Sequence, residues 1–588
     1  MPTVRIPLVG SYNQRGIAGA AALALSQDQR FLNCTFDVIS NPATGMKTIY
    51  VEKRPGWGVE SIVAAGEAST GVLKPQSFDA AITAFGATNS TVYVGGVSVG
   101  TITGRAVHFT ETVVSSLSHV MIKSSDGTGW YYVDGAKDQT SYVGDTHTDT
   151  IIDNIASTAG MYIGQKLSGT GIVAGTRIAT ISSSTAITVD TATTATNAAV
   201  TITKEPIAKI IDADFVTTGS SISAFAEMDG YLFYTTTAGS LYNSDLNSVT
   251  AYSATGFLSP NMSPDPPVAV ARHKNMVIVL GGASIEAFYN AGNATGSPLT
   301  RSAQFFDRVG TIDQRSVTFL GNDIYFVSTP HEGDLGVYRI RGMQAQKISP
   351  PHVDRILGTV SATNGAIYAS AFTLGGYSYA SFYVSLASDG PNSMLLLELG
   401  DKLLLESADD ILLEDTPAQT ASFHSVQICN LDLGIWSEWD CSEATFIDGA
   451  GSGTANTLLA TSRCDTGGKV WTINPTAAGQ LYTDDGSAFS LQVRTSRLDF
   501  GTSKRKFIRE VRLIGDTQSS GTATLEANDN DYDSDDWKTL GSFDMTSMQP
   551  RITRCGSHKG GRSYRVTHSA NTAFRAEALE IVYDEGTS

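Results

Sequence analysis

A repeat of about 45 residues constrains the fold of this chain more than any other feature of its sequence. A turn residue precedes a short apolar strand at Gly230, Asn275, Asn322 and Gly365, so the intervals are 45, 47 and 43 residues. The strands that follow read YLFY, MVIVL, DIYFV and AIYA. Units of this length, built from short strands and turns, are typical of β-propeller blades. We therefore expect a ring of blades.

The composition supports an all-β fold. The 588 residues include 57 glycines and only 17% charged residues, and few stretches show the apolar spacing of a helix. The longest helix candidate is the Ala-rich segment 16–25. A chain of this length has room for several domains.

The spacing of the blades divides the chain into five parts. Earlier blade-like units follow Asn89 and Gly129, but the next begins after Gly230, a gap of 101 residues that is too long for one blade. Removing residues 140–204, which alternate polar and apolar residues and contain few aromatics, restores the spacing. The predicted parts are an extended N-terminal arm (1–58), a β-propeller (59–139 and 205–489), an inserted β-module (140–204), a hairpin insertion within the propeller (395–418) and a C-terminal β-sandwich (490–588).

Two segments are candidate functional sites. The first is an eight-residue repeat in the hairpin insertion, which fits short strands and turns better than a helix. It is a candidate gate or subunit contact, and the alternative is a simple hairpin extension of a blade. Its candidate residues are Leu395, Leu396, Leu397, Glu398, Leu403, Leu404, Leu405 and Glu406. The second site is the turn Arg54-Pro55-Gly56, which ends the N-terminal arm.

The net charge of −18, with a pI of about 4.9, argues against binding DNA by charge, because affinity for phosphates comes mainly from Lys and Arg. Acidity still permits passive contact, since a negative wall would let double-stranded DNA slide without adhering. The simpler interpretation is that acidity keeps a large protein soluble.

Cysteine usage indicates a reducing compartment. The five cysteines are an odd number, and none lies in a CxxC pair, so we expect neither a disulfide framework nor a structural zinc site. The N-terminus lacks a signal-peptide pattern, and no apolar run approaches the roughly 20 residues that span a bilayer. We therefore expect folding in a cytoplasm.

The sequence contains no catalytic motif, and we predict neither an enzyme nor a bound cofactor or metal. Asp145, His147 and Asp149 could share one face of a strand, but a solvated surface is the favoured interpretation. The acidic run from Asp529 to Asp535 resembles a calcium loop, yet Ser534 and Leu540 occupy the positions that need Gly and Glu.

The only basic run is Lys504-Arg505-Lys506, with Arg509 and Arg512 nearby. On a sandwich strand such residues usually form a solvated face. The alternative is a patch that pairs with acidic residues of a neighbouring subunit.

Several segments carry a family resemblance. The arm ending in Lys53-Arg54-Pro55-Gly56 is similar to the N-termini of tail nozzle or hub proteins of short-tailed bacteriophages. The range Met276–Leu357 resembles the packaged-DNA stabilisation (tail accessory) proteins of P22-like phages most strongly, and parts of the C-terminal region also resemble them. The segments in question are SIEAFY (284–289), RVGT (308–311), DIYFVS (323–328), GVY (336–338), KIS (347–349), RT (494–495), KF (506–507) and FRAEA (574–578). The two insertions depart from the family pattern.

The resemblance implies a structural virion protein, located in the tail and made in the host cytoplasm. It implies a hexameric ring below the portal and adaptor, which contacts the tail needle and tail fibre or spike proteins. Such a ring would retain packaged DNA and conduct it during ejection. Two other functions stay open. One is a virion adhesin that binds host surface glycan through the inserted module. The other is a propeller glycosidase, which would need paired carboxylates at the mouth of the propeller.

Overall fold

The computed structural model describes residues 2–586 except 10–28, 41–46, 63–68, 74–77, 79–84, 89, 105, 216–221, 237, 329–334, 364–365, 386–423, 441–445, 452–457, 463–468, 474–481, 485 and 531–535. The predicted hairpin insertion 395–418 and the helix candidate 16–25 lie outside these residues. Strands dominate the described part, as predicted for an all-β chain.

The described strands include seven four-stranded antiparallel blades, in which each strand pairs with the next one along the blade. Blade 1 contains Ser69–Leu73, Phe85–Thr88, Thr91–Val94 and Val97–Thr101. Blade 2 contains Ala106–Val114, Leu117–Ser124, Gly129–Val133 and the end of Asn197–Lys209. Blade 3 contains Ala226–Met228, Tyr231–Thr235, Leu241–Ser244 and Tyr252–Leu258. Blade 4 contains Pro267–His273, Met276–Gly281, Ile285–Asn290 and Leu299–Asp307. Blade 5 contains Val317–Leu320, Asp323–Ser328, Gly336–Arg341 and Gln344–Lys347. Blade 6 contains Ala366–Leu374, Tyr377–Ser385, His424–Asn430 and Ile435–Trp439. Blade 7 contains Phe446–Gly451, Leu458–Ser462, Lys469–Ile473 and Trp57–Ile62.

Blade 7 closes the ring with a strand from the other end of the chain. Its fourth strand, Trp57–Ile62, pairs with Lys469–Ile473, which lies about 410 residues later in the sequence. First strands contact one another between blades 7 and 1, 1 and 2, 3 and 4, 5 and 6, and 6 and 7. The first strand of each blade is therefore the innermost one, as a propeller requires.

The repeat seen in the sequence marks second strands in blades 3, 4 and 5, since Gly230, Asn275 and Asn322 lie in first-to-second-strand turns. The fourth member is different, because Ala366–Leu374 is the first strand of blade 6. A helix, Pro351–Thr363, lies between blades 5 and 6 and shifts the register of the repeat. It begins after Pro350 and at Pro351, where a missing N–H costs nothing. A short 3₁₀ turn, Gln314–Ser316, precedes blade 5.

The inserted segment forms a sheet that branches from blade 2. Its strands are Ser141–Thr146, Ile151–Asp153, Gln165–Ser168, Ile178–Ser183, Ala186–Val189 and the first part of Asn197–Lys209. They enclose a core of their own around Tyr142, Ile152, Leu167 and Ile202. The long strand Asn197–Lys209 then continues into blade 2, where Lys209 pairs with Trp130. Residues 141–204 therefore lie between the third and fourth strands of one blade.

The N-terminal arm consists of extended strands that belong to the sheets of the C-terminal region. Its strands are Thr3–Pro7, Arg30–Leu32, Cys34–Ser40 and Lys47–Lys53, and they pair with strands of the C-terminal region. The alternating apolar residues Val4, Ile6 and Leu8 become buried in the same core as the C-terminal strands, which explains the pairing.

Two sheets share this core. One contains the arm strands 3–7, 34–40 and 47–53 with Lys506–Gly515, Arg551–Thr553, Ser557–His558 and Arg575–Glu585. The other contains Arg30–Leu32, Leu491–Arg494, Thr522–Asn528, Lys538–Asp544 and Ser563–His568. Arg30–Leu32 also pairs in parallel with Ile435–Trp439, so the second sheet is continuous with blade 6. A two-residue hairpin, Thr483–Asp484 with Ser487–Ala488, lies between blade 7 and this sandwich. No helix in the described ranges has the length and apolarity that crossing a membrane would require.

Candidate functional site

The predicted site at the arm turn centres on Arg54, whose side chain is fully buried. Its Nη2 and Nη1 donate to the two carboxylate oxygens of Asp484 at 2.6 and 2.9 Å. Its Nε donates to the Asn33 side chain at 2.9 Å, and Nη2 also donates to the Asp440 carbonyl at 2.9 Å. The guanidinium lies 3.9 Å from the centre of the Phe489 ring. A buried, bidentate ion pair of this kind is held in one geometry.

Gly56 is required by the close approach of the same hairpin. A Cβ at this position would lie 1.9 Å from the Thr483 carbonyl oxygen, a distance that no side chain can occupy. The next residue, Trp57, donates its backbone N–H to Asp484 at 3.0 Å. Asp484 therefore fixes both Arg54 and the start of the strand that closes blade 7.

Lys53 completes the site from the sandwich side. Its Nζ donates to the Ala570 carbonyl at 2.8 Å and lies 4.3 Å from the centre of the Phe489 ring. Burial, with a further contribution from the neighbouring Arg54 charge, lowers the pKa of Lys53 to about 8. The Lys53 backbone N–H donates to the Phe574 carbonyl, in one of the segments that carry the family resemblance.

We call the set Asn33, Lys53, Arg54, Asp484 and Phe489 the arm joint. It connects the arm, the end of blade 6, the closing strand of blade 7 and the sandwich. Each charged group has a partner inside the protein, so the arrangement holds elements together. It presents no geometry for catalysis.

The sequence identifies only part of the arm joint. Arg54 and Gly56 stand out because the Pro-Gly turn is a local signal. Asn33, Asp484 and Phe489 give no such signal, because they meet Arg54 only through tertiary contacts. The one hint is the turn sequence Asp484-Asp485-Gly486.

The inserted module is anchored to blade 2 by a different type of contact. Lys204 is 2% exposed, and its Nζ donates to the carbonyls of Ala136 (3.2 Å) and Gly160. Two aromatic rings, Tyr142 and Tyr162, lie within 6 Å of this ammonium group. Burial lowers the pKa of Lys204 to about 8. The hydroxyl of Tyr131 in blade 2 donates to the Ile163 carbonyl of the module. We call Lys204 and its carbonyl partners the module joint.

The predicted acidic cluster of the module serves local turns. Asp145 accepts from the Ala199 backbone N–H at 2.7 Å, and Asp149 accepts from that of Ile151 at 2.8 Å. His147 pairs with Asp153 at 3.0 Å, and this carboxylate raises the pKa of the His147 ring. Within the described ranges, no group of three or more His, Cys, Asp or Glu side chains could hold a metal ion.

Three of the basic residues of the sandwich pair with acids, whereas Arg505 donates to the Ser557 hydroxyl and the buried Lys506 donates to the Thr502 and Gly560 carbonyls. Arg509 pairs with Asp584 at 2.6 Å, and Lys504 with Glu585 at 3.8 Å. Arg512 contacts both Glu510 and Glu580. This charge pairing is consistent with the solvated-face interpretation. Asp529, at the start of the acidic run, forms a bidentate pair with Arg562, whereas residues 531–535 lie outside the described part.

The eight leucine and glutamate residues of the predicted gate, between Leu395 and Glu406, all lie outside the described residues. Their described neighbours are the paired ends of two blade 6 strands, where Ser385 is opposite His424. The gate or subunit contact stays a prediction.

One family model matches the chain. Residues 166–372 match the model described as bacteriophage P22 Gp10, β-propeller. The matched range runs from the inserted module through blades 3, 4 and 5 into the first strand of blade 6. It includes residues 166–204, which the sequence predicts to depart from the family pattern. No curated protein matches the chain.

Similar solved structures include a designed protein, a WD40 domain and a protein in complex with a partner. The computationally designed Ika8 protein is 12% identical with a TM-score of 0.31, covering 71% of this chain and 99% of its own. The Neurospora crassa Pan2 WD40 domain is 8% identical with a TM-score of 0.31, covering 72% and 97%. BBS1N, in complex with ARL6DN, is 10% identical with a TM-score of 0.35, covering 72% and 99%.

These TM-scores are too low to equate the folds, so the propeller assignment comes from the family match and from the blades themselves. The blades observed between residues 226 and 347 lie inside the matched range. The resemblance predicted from the sequence is confirmed. Residues 166–372 of the chain are therefore similar to the β-propeller of bacteriophage P22 Gp10, a tail accessory protein of the P22-like type.

Proposed function

We propose that this protein is the ring-forming nozzle or hub of a short phage tail, below the portal and adaptor. In this role it retains packaged DNA and conducts it into the host during ejection. The observation that carries the proposal is the family match over residues 166–372, which covers part of the inserted module and blades 3 to 5 of the propeller. The proposed partners are further copies of the chain in a hexamer, the adaptor and portal ring, the tail needle and the tail fibre or spike proteins.

Charge supports a passive contact with DNA. The chain carries a net charge of −18, and three basic side chains of the sandwich, Lys504, Arg509 and Arg512, are paired with Glu585, Asp584 and Glu580. Basic side chains that are already paired have little capacity to displace counterions from DNA. A conduit with this charge would let the duplex pass without adhering.

A complementation experiment tests the proposed role. Particles assembled without this chain should package DNA and then lose it, and adding the purified chain should restore retention in a nuclease-protection assay. Portal and adaptor complex should bind the chain in a pull-down. Normal retention in particles that lack the chain would contradict the proposal. No binding to portal and adaptor would contradict its position in the tail.

A second candidate function is a virion adhesin that binds host surface glycan. The observation in its favour is the inserted module, which has its own core and exposes Val143, Ile151 and Val173 on its surface. Binding of the full chain to host envelope polysaccharide, lost when residues 141–203 are replaced by a short Gly-Ser linker, would support this function. Retention of DNA without glycan binding would favour the nozzle.

Neither proposed role needs catalysis. Burial raises the pKa of the Cys429 thiol to about 12 and lowers that of His108 to about 4, so both side chains are held neutral. Incubation with host polysaccharide should release no reducing ends. Release by the full chain would move the assignment to a glycosidase.

A further inference from the structure

One histidine of the sandwich is buried without a hydrogen-bond partner. His558 belongs to the short strand Ser557–His558 and is 3% exposed. Neither of its ring nitrogens has a hydrogen-bond partner among the described residues. The ring meets that of Phe500 edge-on, with 5.9 Å between the two centres. A buried polar group without a partner costs free energy, so its presence calls for a physical explanation.

The other buried histidines of the described ranges lie beside acceptors. His119, His273 and His568 each have a ring nitrogen 2.8, 2.9 or 3.0 Å from a backbone carbonyl oxygen. A carbonyl in this position favours the protonated ring, because an imidazolium donates from both of its nitrogens. His558 has no such acceptor, so nothing in its surroundings rewards a second ring proton.

A buried lysine lies directly opposite His558. Lys506 is the cross-strand partner of His558 in the pairing of Ser557–His558 with Lys506–Gly515, and it is fully buried. Side chains directly opposite in an antiparallel pair share one face of the sheet, with about 5 Å between their Cβ atoms. The Lys506 ammonium group donates to the carbonyls of Thr502 and Gly560. A proton on His558 would therefore place a second positive charge beside a buried cation.

A buried arginine adds to the same effect. Arg562 is 4% exposed and donates to the carbonyls of Cys555 and Ser557 at 3.3 and 3.4 Å, so it borders the strand that carries His558. Its charge is matched by Asp529, which accepts two hydrogen bonds at 2.6 and 2.9 Å. One carboxylate thus stands against two buried cations, and it is already engaged by the arginine.

The electrostatic balance holds His558 in its neutral form. Burial first, and then the charges of Arg562 and Lys506, lower the pKa of the His558 ring to about 3, while Asp529 opposes part of this shift. Other charged or titratable groups also approach His558, Lys506 or Arg562. They are Asp499 and Glu585, which act on Lys506, Arg505, which donates to the Ser557 hydroxyl, the exposed Lys559, and the buried Cys555, Tyr564 and Tyr583.

The aromatic neighbour of His558 has a strained backbone. Phe500 has a φ of 53°, in the left-handed region that bulky side chains rarely adopt. Its ring stacks on Tyr583 at 5.0 Å and contacts His558, and this packing holds the strained conformation in place. Separation of the His558 strand would remove one side of that packing and relieve the strain.

The arm is held by the next strands of the same sheet. Lys506–Gly515, opposite His558, pairs with Arg575–Glu585 along most of its length. Arg575–Glu585 in turn pairs with the arm strands Thr3–Pro7 and Lys47–Lys53. A local opening at His558 therefore acts on the strands that attach the arm to the sandwich.

We infer that His558 is an acid-sensitive lock of the sandwich: when its ring takes up a proton, the segment 555–562 separates from strand Lys506–Gly515, and the sandwich opens before the propeller. The opened chain takes up the proton near the ordinary value of 6.5, whereas the closed chain resists it down to about 3. The open form therefore binds more protons in this window. The stability that the neutral ring provides is complete above 6.5 and is lost as the pH falls.

Hydrogen exchange of the full chain, followed by mass spectrometry at about pH 7.5 and about pH 5 and corrected for intrinsic exchange, tests the inference. Relative to blades 3 to 5, protection of residues 500–515 and 551–568 should fall by up to about tenfold per pH unit below 6.5, because opening takes up one proton. His558→Phe should abolish this loss, since it removes the titrating ring and no hydrogen bond. His147→Gln, which removes an exposed histidine paired with Asp153, is the control and should leave the loss unchanged.

The wild type alone can overturn the inference. Equal protection of the sandwich at the two pH values would do so, and so would a loss that begins in blades 3 to 5. A loss that persists in His558→Phe would assign the acid response to other groups. Circular dichroism checks that the variant folds, and His558→Leu replaces it if the larger ring is not accommodated. The proposed tail function stands or falls separately, because this test uses the chain alone in solution.

Discussion

The arm joint attaches the N-terminal arm to the propeller, and the module joint attaches the inserted module to the same propeller by a different type of contact. At the arm joint, the buried Arg54 forms a bidentate ion pair with the Asp484 carboxylate. At the module joint, Lys204 is buried and donates to two backbone carbonyls, those of Ala136 and Gly160. A buried cation with a matched anion gains Coulomb energy that offsets desolvation. A buried cation with neutral acceptors does not, and its pKa falls.

This difference predicts which perturbation, mutation or pH, weakens each of the two joints. The arm joint depends on a specific partner about 430 residues away in sequence, so removing either partner leaves a buried charge uncompensated. The module joint depends on the protonation of Lys204, because burial removes its ammonium group from water and so disfavours the charged form. We expect the Arg54–Asp484 pair to respond mainly to mutation of either partner, and Lys204, like Lys53 of the arm joint, to respond to pH.

The largest expected effect is at Asp484. Asp484→Ala leaves Arg54 buried without its counter-charge and should lower the free energy of unfolding by about 3–5 kcal/mol. Urea denaturation followed by tryptophan fluorescence measures the change, since Trp57 and Trp439 adjoin the site. Asp584→Ala, which removes the partner of the exposed Arg509, is the matched control and should cost no more than about 1 kcal/mol. Equal losses in the two variants would show that burial does not set the strength of the arm joint.

The next effect is at Gly56. Gly56→Ala places a Cβ 1.9 Å from the Thr483 carbonyl oxygen, and relieving that clash should cost about 1–3 kcal/mol. Gly282→Ala is the control, because a Cβ there meets no atom within 4 Å. Thermal unfolding of both variants checks the contrast. A melting temperature for Gly56→Ala equal to that of the control would mean that the hairpin moves freely away from the arm.

A smaller, pH-dependent effect is expected at Lys204. Its pKa is about 8 in the folded chain against an ordinary value of 10.5, so between these values the unfolded chain binds more protons. The free energy of unfolding should therefore rise with pH in that window, by up to about 1.4 kcal/mol per pH unit.

The difference between wild type and Lys204→Met isolates this contribution, because Lys53 also titrates near pH 8 in both proteins. Calorimetry at several pH values from 7 to 10.5 measures it. A difference that stays constant with pH would show that Lys204 keeps its ordinary pKa, and it would remove the contrast between the joints.

The smallest effect is expected at the basic run. Asp584→Asn frees Arg509, which is largely exposed, so stability should change by less than about 1 kcal/mol. If the pairing is what prevents adhesion to DNA, the variant should bind duplex DNA more strongly at low salt, as measured by fluorescence anisotropy. Added salt should abolish any gain in affinity for DNA. Unchanged DNA binding would indicate that the overall negative charge alone prevents adhesion.

Local patterns predicted much of the fold but not its connections. The strands after Gly230, Asn275 and Asn322 are readable because a turn and an apolar run are encoded by neighbouring residues. The strand after Gly365 follows the same spacing but is the first strand of its blade, because the helix Pro351–Thr363 adds residues between blades 5 and 6. The arm was predicted as extended because its partners lie more than 400 residues away.

The candidate sites divide in the same way. Arg54 and Gly56 were found from a turn motif, whereas Asp484, Asn33 and Phe489 have ordinary sequence surroundings. The exposure of individual apolar side chains was also not visible in sequence. Phe319 and Ile324 are similar apolar residues on paired strands, yet Phe319 is exposed and Ile324 is fully buried. Which of two such residues faces solvent depends on what the neighbouring blade covers.

The sequence by itself determined the blade repeat, the all-β class, the extra segment within blade 2 and the family resemblance, because these depend on spacing and composition along the chain. Only the tertiary structure decided that the N-terminal strand Trp57–Ile62 closes the last blade, that the arm belongs to the sandwich, and that Arg54 is paired with Asp484. The physical reason is that turns and strand periodicity are local. Ring closure and buried charge pairing join residues whose separation in sequence carries no signal.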